Sequence, residues 1–420
     1  MIKERLKKYT ASVLPGIFLI GYNIGTGSIT SMSKAGANFG LDLIWTVALS
    51  CLFTYFLMIH FAKFTAVTKK TAIQGIKAYL SPVVSKILIA ALSLIIITAL
   101  IGVLGIITDI MHAWTSETLS FGISRNYFAI AVSLILLYLL WKGSTRTFER
   151  ILSILVSIMG IAFIGIMIMY FPEPAELLKG FVPKLPKVTE GSDNNQLVIL
   201  TGMVGTTVST FVFIIRTQQA KEKNWDIHNF KIQKRDARVS AILMFIISAA
   251  VIITAASTLY TRNIKLNHVV EMVGLLTPIA GKNAITLMVI GIVAAGISSH
   301  LPNLLVIPWL IMDYKEEKGR DIRQRKYRII LLVLSVICTL GVMFNVKPVF
   351  IMLLSQAALS FLLPFVVGVF FFLTAKRSVM KEFTNTVKET LMLSLISAFA
   401  LFMGTQSFIG VINDIKNMVG

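Results

Sequence analysis

Acidic side chains are scarce in this 420-residue chain: 20 Asp and Glu stand against 40 Lys and Arg, and charged residues together make up only 14% of it. So little charge, beside 56% hydrophobic residues and a mean hydropathy of +0.80, excludes an ordinary soluble domain. Cysteine is nearly absent. Cys51 and Cys338 each lie inside an apolar run, which excludes a disulfide framework and a Cys-based metal site, and both are expected as small buried hydrophobes. HExxH, a P-loop, a Ser-His-Asp set and paired carboxylates are also missing, so neither enzymatic chemistry nor a cofactor is expected. No ten-residue alternation of the membrane β-barrel kind occurs either.

What fills the chain instead is a series of apolar runs of about 20 residues, the length that crosses a bilayer as a helix. Eleven helical spans are expected, at 12–38, 41–67, 84–111, 126–142, 150–171, 197–217, 238–260, 283–311, 328–344, 349–374 and 387–411. They form a single transmembrane domain of all-α class, because lipid requires backbone hydrogen bonds to close within each segment. The opening MIKERLKKY and the small residues Ala35-Gly36-Ala37 have the outline of a secretory leader. The interruption at Gly25 and the immediate start of the next span favour a first span instead.

Most Lys and Arg fall in alternate loops, which sets the N-terminus in the cytoplasm and the C-terminus outside. The net charge of +20 is therefore a topology signal facing anionic lipid, not a nucleic-acid footprint. That reading covers both basic runs, Lys221, Lys223, Lys231, Lys234 and Arg235, and the stretch at 316–328. The external segment from Phe171 to Gln196, with Pro172, Pro174, Pro183 and Pro186, is expected to be an ordered connector.

Two spans are interrupted, the first at Gly25-Thr26-Gly27-Ser28 and the sixth at Gly205-Thr206-Thr207-Val208-Ser209-Thr210. Glycine costs about 1 kcal/mol relative to Ala in a helix interior, and opened backbone is tolerated at membrane depth only where it lines a protein cavity. Spans 1–5 (12–171) and 6–10 (197–374) each begin with such a break. An inverted five-plus-five repeat with one added helix (387–411) follows, with its binding site at the two breaks.

Ionisable residues inside spans cost about 2.5–3.5 kcal/mol each and deserve weighing one by one. Asp109 and His112 are expected as an interfacial pair at the outer end of span three, and His60, near Lys63, at the inner interface. His300, after Ser298 and Ser299, is open to two readings, a satisfied core histidine or a contact to substrate or proton. Lys34 and Arg216 are expected to snorkel to an interface, while standing close enough to the breaks to be accessory or coupling groups. His228 and His268 are loop residues without an evident role.

Several stretches taken together carry a resemblance. Ala35-Gly36-Ala37-Asn38-Phe39-Gly40, GFVPKLP at 180–186, GTTV at 205–208, IVAAGISS at 292–299 and LLSQAALSFLLPF at 353–365 keep an order and spacing similar to the Nramp family of proton-coupled divalent-metal transporters. The resemblance runs over nearly the whole chain. It implies a LeuT-like fold, alternating access around helices one and six, and a bacterial cytoplasmic membrane.

The family's site residues do not carry over intact. Its first-helix Asp-Pro-Gly-Asn falls on Gly25-Thr26-Gly27-Ser28, and its sixth-helix Met-Pro-His-Asn on Ser209-Thr210-Phe211-Val212. A later histidine falls on Arg216, and two acids of the third helix fall on Ala99 and Gly102. Of the family's contacts, the tenth-helix glutamine persists as Gln356. Substrate contacts are thus expected from Gly25, Thr26, Gly27, Ser28, Ser209, Thr210, Phe211 and Gln356, with no resident metal.

With carboxylate and thioether gone, a dehydrated transition metal loses its ligands. Helix N-termini, which favour anions, become the leading electrostatics. A secondary transporter for a small anion or carboxylate-bearing solute such as bicarbonate is the first expectation. A divalent cation transporter for Mn²⁺ or Mg²⁺ is the alternative, an amino acid transporter the second, and a channel or receptor on the same scaffold a further class.

Overall fold

The computed structural model describes residues 25–118, 122–142, 167–184, 196–266, 284–317, 321–344 and 347–419, with residue 271 and isolated positions between 154 and 165. Every regular element among them is a helix. In chain order these are α1 (Thr26–Phe39), α2 (Ile44–Thr68), α3 (Ala72–Tyr79), α4 (Pro82–Thr118), α5 (Arg125–Lys142), α6 (Pro174–Lys179), α7 (Gln196–Thr207) and α8 (Thr210–Glu222). There follow α9 (Phe230–Thr258), α10 (Ala284–Tyr314), α11 (Arg325–Met343), α12 (Pro348–Ala375), α13 (Arg377–Met380) and α14 (Val387–Val419).

Eight helical segments among the described residues are long and apolar enough to cross a membrane, α7 and α8 counted as one, and α5 is a shorter apolar helix. The first half of span one lies outside the described residues, as does most of span five. Low charge and apolar length make these segments membrane-spanning helices. The α7–α8 segment is the most enclosed, with α1, α2, α12 and α14 around it. On the other side α4 packs on α10 and α12, and α14 covers the outer flank of α12. Phe61 of α2, Phe213 of α8 and Phe370 of α12 stack below the centre, with Phe61 and Phe370 ring centroids 3.9 Å apart.

Two differences from expectation have local causes. The loop after span two contains a helix, α3, started by a reciprocal cap: Thr71 Oγ1 accepts from Gln74 N and Gln74 Oε1 accepts from Thr71 N. The second break is also narrower than its sequence suggested. Gly205, Thr206 and Thr207 are helical, and the chain leaves the helix only at Val208 and Ser209. Gly205 serves packing instead, since a Cβ there would stand 2.0 Å from the carbonyl oxygen of Gln356. At the first break Thr26, Gly27 and Ser28 are the first turn of α1, and Gly25 is its N-cap residue.

Candidate transport site

Helix starts leave unpaired N–H groups and helix ends leave unpaired carbonyls, so each break must find partners elsewhere. At the second break Thr54 of α2 donates its hydroxyl to the carbonyl of Thr207, the last residue of α7, at 2.8 Å. Ser209, which precedes α8, makes no side-chain cap, and its carbonyl accepts from Val212 N at 3.0 Å. At the first break Gly25 has no side chain to offer, and Ser299 of α10 takes over, its Oγ accepting from Thr26 N at 2.8 Å.

Between the breaks lies a cavity of about 40 Å³, measured as space open to the centres of water-sized spheres. That is room for a small ion and a few waters, since one water needs about 10–15 Å³ on this measure. The first half-helix contributes Gly25, Gly27 and Ser28, and the second break contributes Thr206, Ser209 and Phe211. Ser299 and Asn303 come from α10, Met352, Gln356 and Leu359 from α12, and Ile95, Ile96 and Ala99 from α4. Gly27 allows this close approach: a Cβ there would stand 2.3 Å from Met352 Cε and 2.8 Å from Gln356 Nε2. No charged side chain is among these lining residues, and no cluster of three or more His, Cys, Asp or Glu occurs among the described residues.

The hydroxyls on the wall have a definite polarity. A hydroxyl carries one donor and two acceptor sites. Thr206 Oγ1 donates to Met203 O at 2.9 Å and Ser299 Oγ donates to Ala295 O at 3.0 Å. With their protons committed to their own helices, both present only lone pairs elsewhere.

Six residues expected at the site from sequence, Gly25, Gly27, Ser28, Ser209, Phe211 and Gln356, share the cavity wall. Thr26 joins through its backbone only, and Thr210 is buried off the wall with a hydroxyl that makes no hydrogen bond. Sequence reasoning missed Thr206 as a wall residue and missed Ser299, Asn303 and Met352. The available signal was spacing, because Ser299 and Asn303, like Met352 and Gln356, are four apart and share a helix face.

Arg216 does not snorkel. It is fully buried, pairs with Asp236 of α9, donates to Gln233 O at 3.2 Å and faces the Trp225 ring. A carboxylate 20 residues later in the chain but adjacent in space makes burial affordable. Lys34 is likewise buried in α1, not carried to an exposed interface. His300 is buried beside Ser299, off the cavity wall, and its Nδ1 makes no hydrogen bond. Asp109 meets Arg125 of α5 at 3.5 Å, and His112 Nδ1 lies 2.7 Å from the Ile123 carbonyl. His60 is buried, its Nε2 2.9 Å from Asn385 Oδ1 and 3.1 Å from Thr374 Oγ1.

Toward the ends of α8 and α10 a polar network closes around Asp313. It accepts from Thr71 Oγ1 at 2.7 Å, Gln74 Nε2 at 2.8 Å and Gln218 Nε2 at 3.1 Å. Ala72 N donates to Thr217 Oγ1 at 2.9 Å, fixing α3 to α8. At its rim the Lys77 ammonium, hydrogen-bonded to Glu316 at 3.0 Å, holds that carboxyl below its ordinary value.

The sequence profile described as natural resistance-associated macrophage protein-like matches residues 16–409. The chain belongs to the Nramp family. An Nramp relative, the natural resistance-associated macrophage protein 2 homolog of Dictyostelium discoideum, is 24% identical over 424 residues, covering 98% of this chain and 65% of that protein. A divalent metal cation transporter MntH of Caldanaerobacter subterraneus is 23% identical over 411 residues, covering 95% of this chain and 92% of its own length. Among solved structures, the Eremococcus coleocola manganese transporter superposes with a TM-score of 0.76 at 18% identity, covering 99% of this chain and 89% of that one. MhsT in complex with L-phenylalanine superposes at 0.60, with 14% identity and 94% and 98% coverage. The fold of this Nramp-family chain is thus LeuT-like, and its family is one of multi-pass membrane transporters.

Proposed function

We propose that the protein is a secondary transporter that works by alternating access and carries a divalent cation, Mn²⁺ or Mg²⁺, with part of its water shell retained. The observation that carries this reading is the polarity of the cavity wall. Thr206 and Ser299 have committed their protons and offer lone pairs, and the Asn303 and Gln356 amides and the Met352 thioether add further donor atoms. Relatives named as divalent metal cation transporters support it from outside the chain. The lack of a lining carboxylate among the described residues favours an ion that stays partly hydrated, because Mg²⁺ sheds water reluctantly and is commonly held through waters.

The small-anion expectation becomes the second reading, and the relatives give it no support. What favours it is the convergence of the α1 and α8 N-termini on a wall without acids. No charged residue among the described lining offers a partner to an ammonium group, so the wall does not favour the amino acid reading. Under the leading reading Ser28, Ser209 and Gln356 contact the cargo. The five-plus-five repeats span 12–171 and 197–374, and the basic loops face the cytoplasm of a bacterial cell.

Uptake into proteoliposomes tests the choice of cargo. Labelled Mn²⁺ or Mg²⁺ is expected to accumulate, with a raised KM in Gln356→Ala. Uptake of labelled bicarbonate without either cation would overturn the leading reading in favour of the second.

A further inference from the structure

Gly25 stands where the resemblance sets the family's carboxylate, and the structure gives a steric reason for glycine there. A Cβ on residue 25 would lie 1.7 Å from Ser299 Oγ and 2.8 Å from Ser299 Cβ. The Ser299 hydroxyl occupies the space of the missing side chain, which real Cβ contacts never share. From that position it does what an N-cap side chain does, accepting from Thr26 N at 2.8 Å, although it belongs to a helix 273 residues further along the chain.

The bonding of that oxygen has a consequence for charge selection. Its proton goes to Ala295 O and one lone pair takes the Thr26 N–H, so the remaining capacity is acceptor-only. A bare helix start offers N–H groups and a partial positive charge, which draws anions. Ser299 takes up the first of these N–H groups and substitutes an oxygen lone pair on the cavity wall. At the second break the residue before α8, Ser209, makes no side-chain cap.

We propose that Ser299 is a positioning and specificity-determining residue of the transport site: from α10 it caps α1, fixes the first turn against the cavity, and turns an anion-attracting helix start into a cation-favouring one. The cation half of this proposal rests on the divalent-cation reading above. The cap itself does not. Because α10 and α1 lie in different halves of the chain, the Thr26–Ser299 bond also joins parts that alternating access displaces relative to one another.

The test uses the full-length protein with Ser299→Ala, Ser299→Thr, Gly25→Ala and the double variant Gly25→Ala/Ser299→Gly. Three measurements are made: amide hydrogen exchange at Thr26, thermal unfolding in detergent, and proteoliposome uptake of Mn²⁺ and bicarbonate. Ser299→Ala is expected to lose protection at Thr26 and to raise the Mn²⁺ KM about tenfold, with a smaller change in kcat, as loss of one ion contact would. Ser299→Thr, which keeps the hydroxyl, is expected to restore both. Gly25→Ala is expected to lower the unfolding temperature and uptake, and the double variant to recover part of each by removing the hydroxyl and Cβ that the new methyl meets.

Unchanged Thr26 exchange in Ser299→Ala, or no recovery in the double variant, would overturn the cap. An unchanged Mn²⁺ KM in Ser299→Ala, with protection at Thr26 lost, would overturn the selectivity role alone. Wild-type uptake of bicarbonate and not Mn²⁺ would overturn the cargo reading and the selectivity role together, while Thr26 exchange still decides the cap.

Discussion

The two helix breaks face the same cavity and are finished in opposite ways. At the first, the N-terminus of α1 is sealed from another helix by Ser299, and glycine is required because that hydroxyl fills the side-chain space. At the second, the partner from outside serves the other polarity: Thr54 seals the carbonyl end of α7, while the start of α8 carries no side-chain cap. Among the described residues, the positive end is covered at the first break and the negative end at the second. The difference shows that a break is defined by which orphan backbone groups its neighbours satisfy, more than by the glycines that mark it in the sequence.

The second break also differs in its anchoring, and this yields the largest expected effect. Arg216 holds the middle of α8 through a buried pair with Asp236, so Asp236→Ala leaves a guanidinium without its carboxylate. A loss of about 3–5 kcal/mol is expected, the usual scale for orphaning one member of a buried ion pair. Thermal or denaturant unfolding in detergent measures it, and a loss comparable to a surface substitution would show that α8 is held by packing alone.

Thr54→Val keeps shape and removes the hydroxyl that seals Thr207. It is expected to cost about 0.5–1.5 kcal/mol, the usual net worth of one intramolecular hydrogen bond. Full stability in this variant would erase the contrast between the breaks. Ser209→Ala should change stability by less than about 0.5 kcal/mol, because no cap is lost. Its Mn²⁺ KM is nevertheless expected to rise severalfold in the uptake assay, since Ser209 lines the cavity. Equal stability losses in Ser209→Ala and Thr54→Val would reverse the assignment of which end is sealed.

The smallest effect belongs to the rim of the Asp313 network. Lys77 lowers the Glu316 carboxyl, so its stabilisation is present above the ordinary carboxylate value and fades as pH falls through the lowered one. Both side chains are substantially exposed, and solvent screening limits the pair to about 0.5 kcal/mol. Glu316→Gln is expected to flatten that part of the acid limb of a stability–pH profile slightly, while the buried Asp313 contacts persist.

Much of the fold was legible before any coordinates. Low charge and long apolar runs give membrane helices for a physical reason, since lipid leaves the backbone few ways to satisfy itself. The paired interruptions pointed to the region of the cavity, and Gln356 was found through the resemblance. Elsewhere the reading failed for identifiable causes. Gly205 and Gly27 read in the sequence as signs of opened backbone, whereas they sit in helices and make room for Gln356 and Met352 of α12. Arg216 was taken to snorkel, because the carboxylate that allows its burial lies on a different helix and no spacing rule links the two. Arg125 as a partner of Asp109 is invisible to spacing for the same reason.

What the sequence by itself determined is therefore class and location: a helical membrane transporter scaffold, with a cavity at the two stretches it marks and no acid among the described residues that line it. Those properties follow from composition and from local backbone chemistry. Tertiary structure alone decided the polarity of the site. Whether a hydroxyl on the wall acts as donor or acceptor depends on where its proton is already engaged, and Ser299 reaches Gly25 only because 273 residues of chain fold to bring α10 against the start of α1.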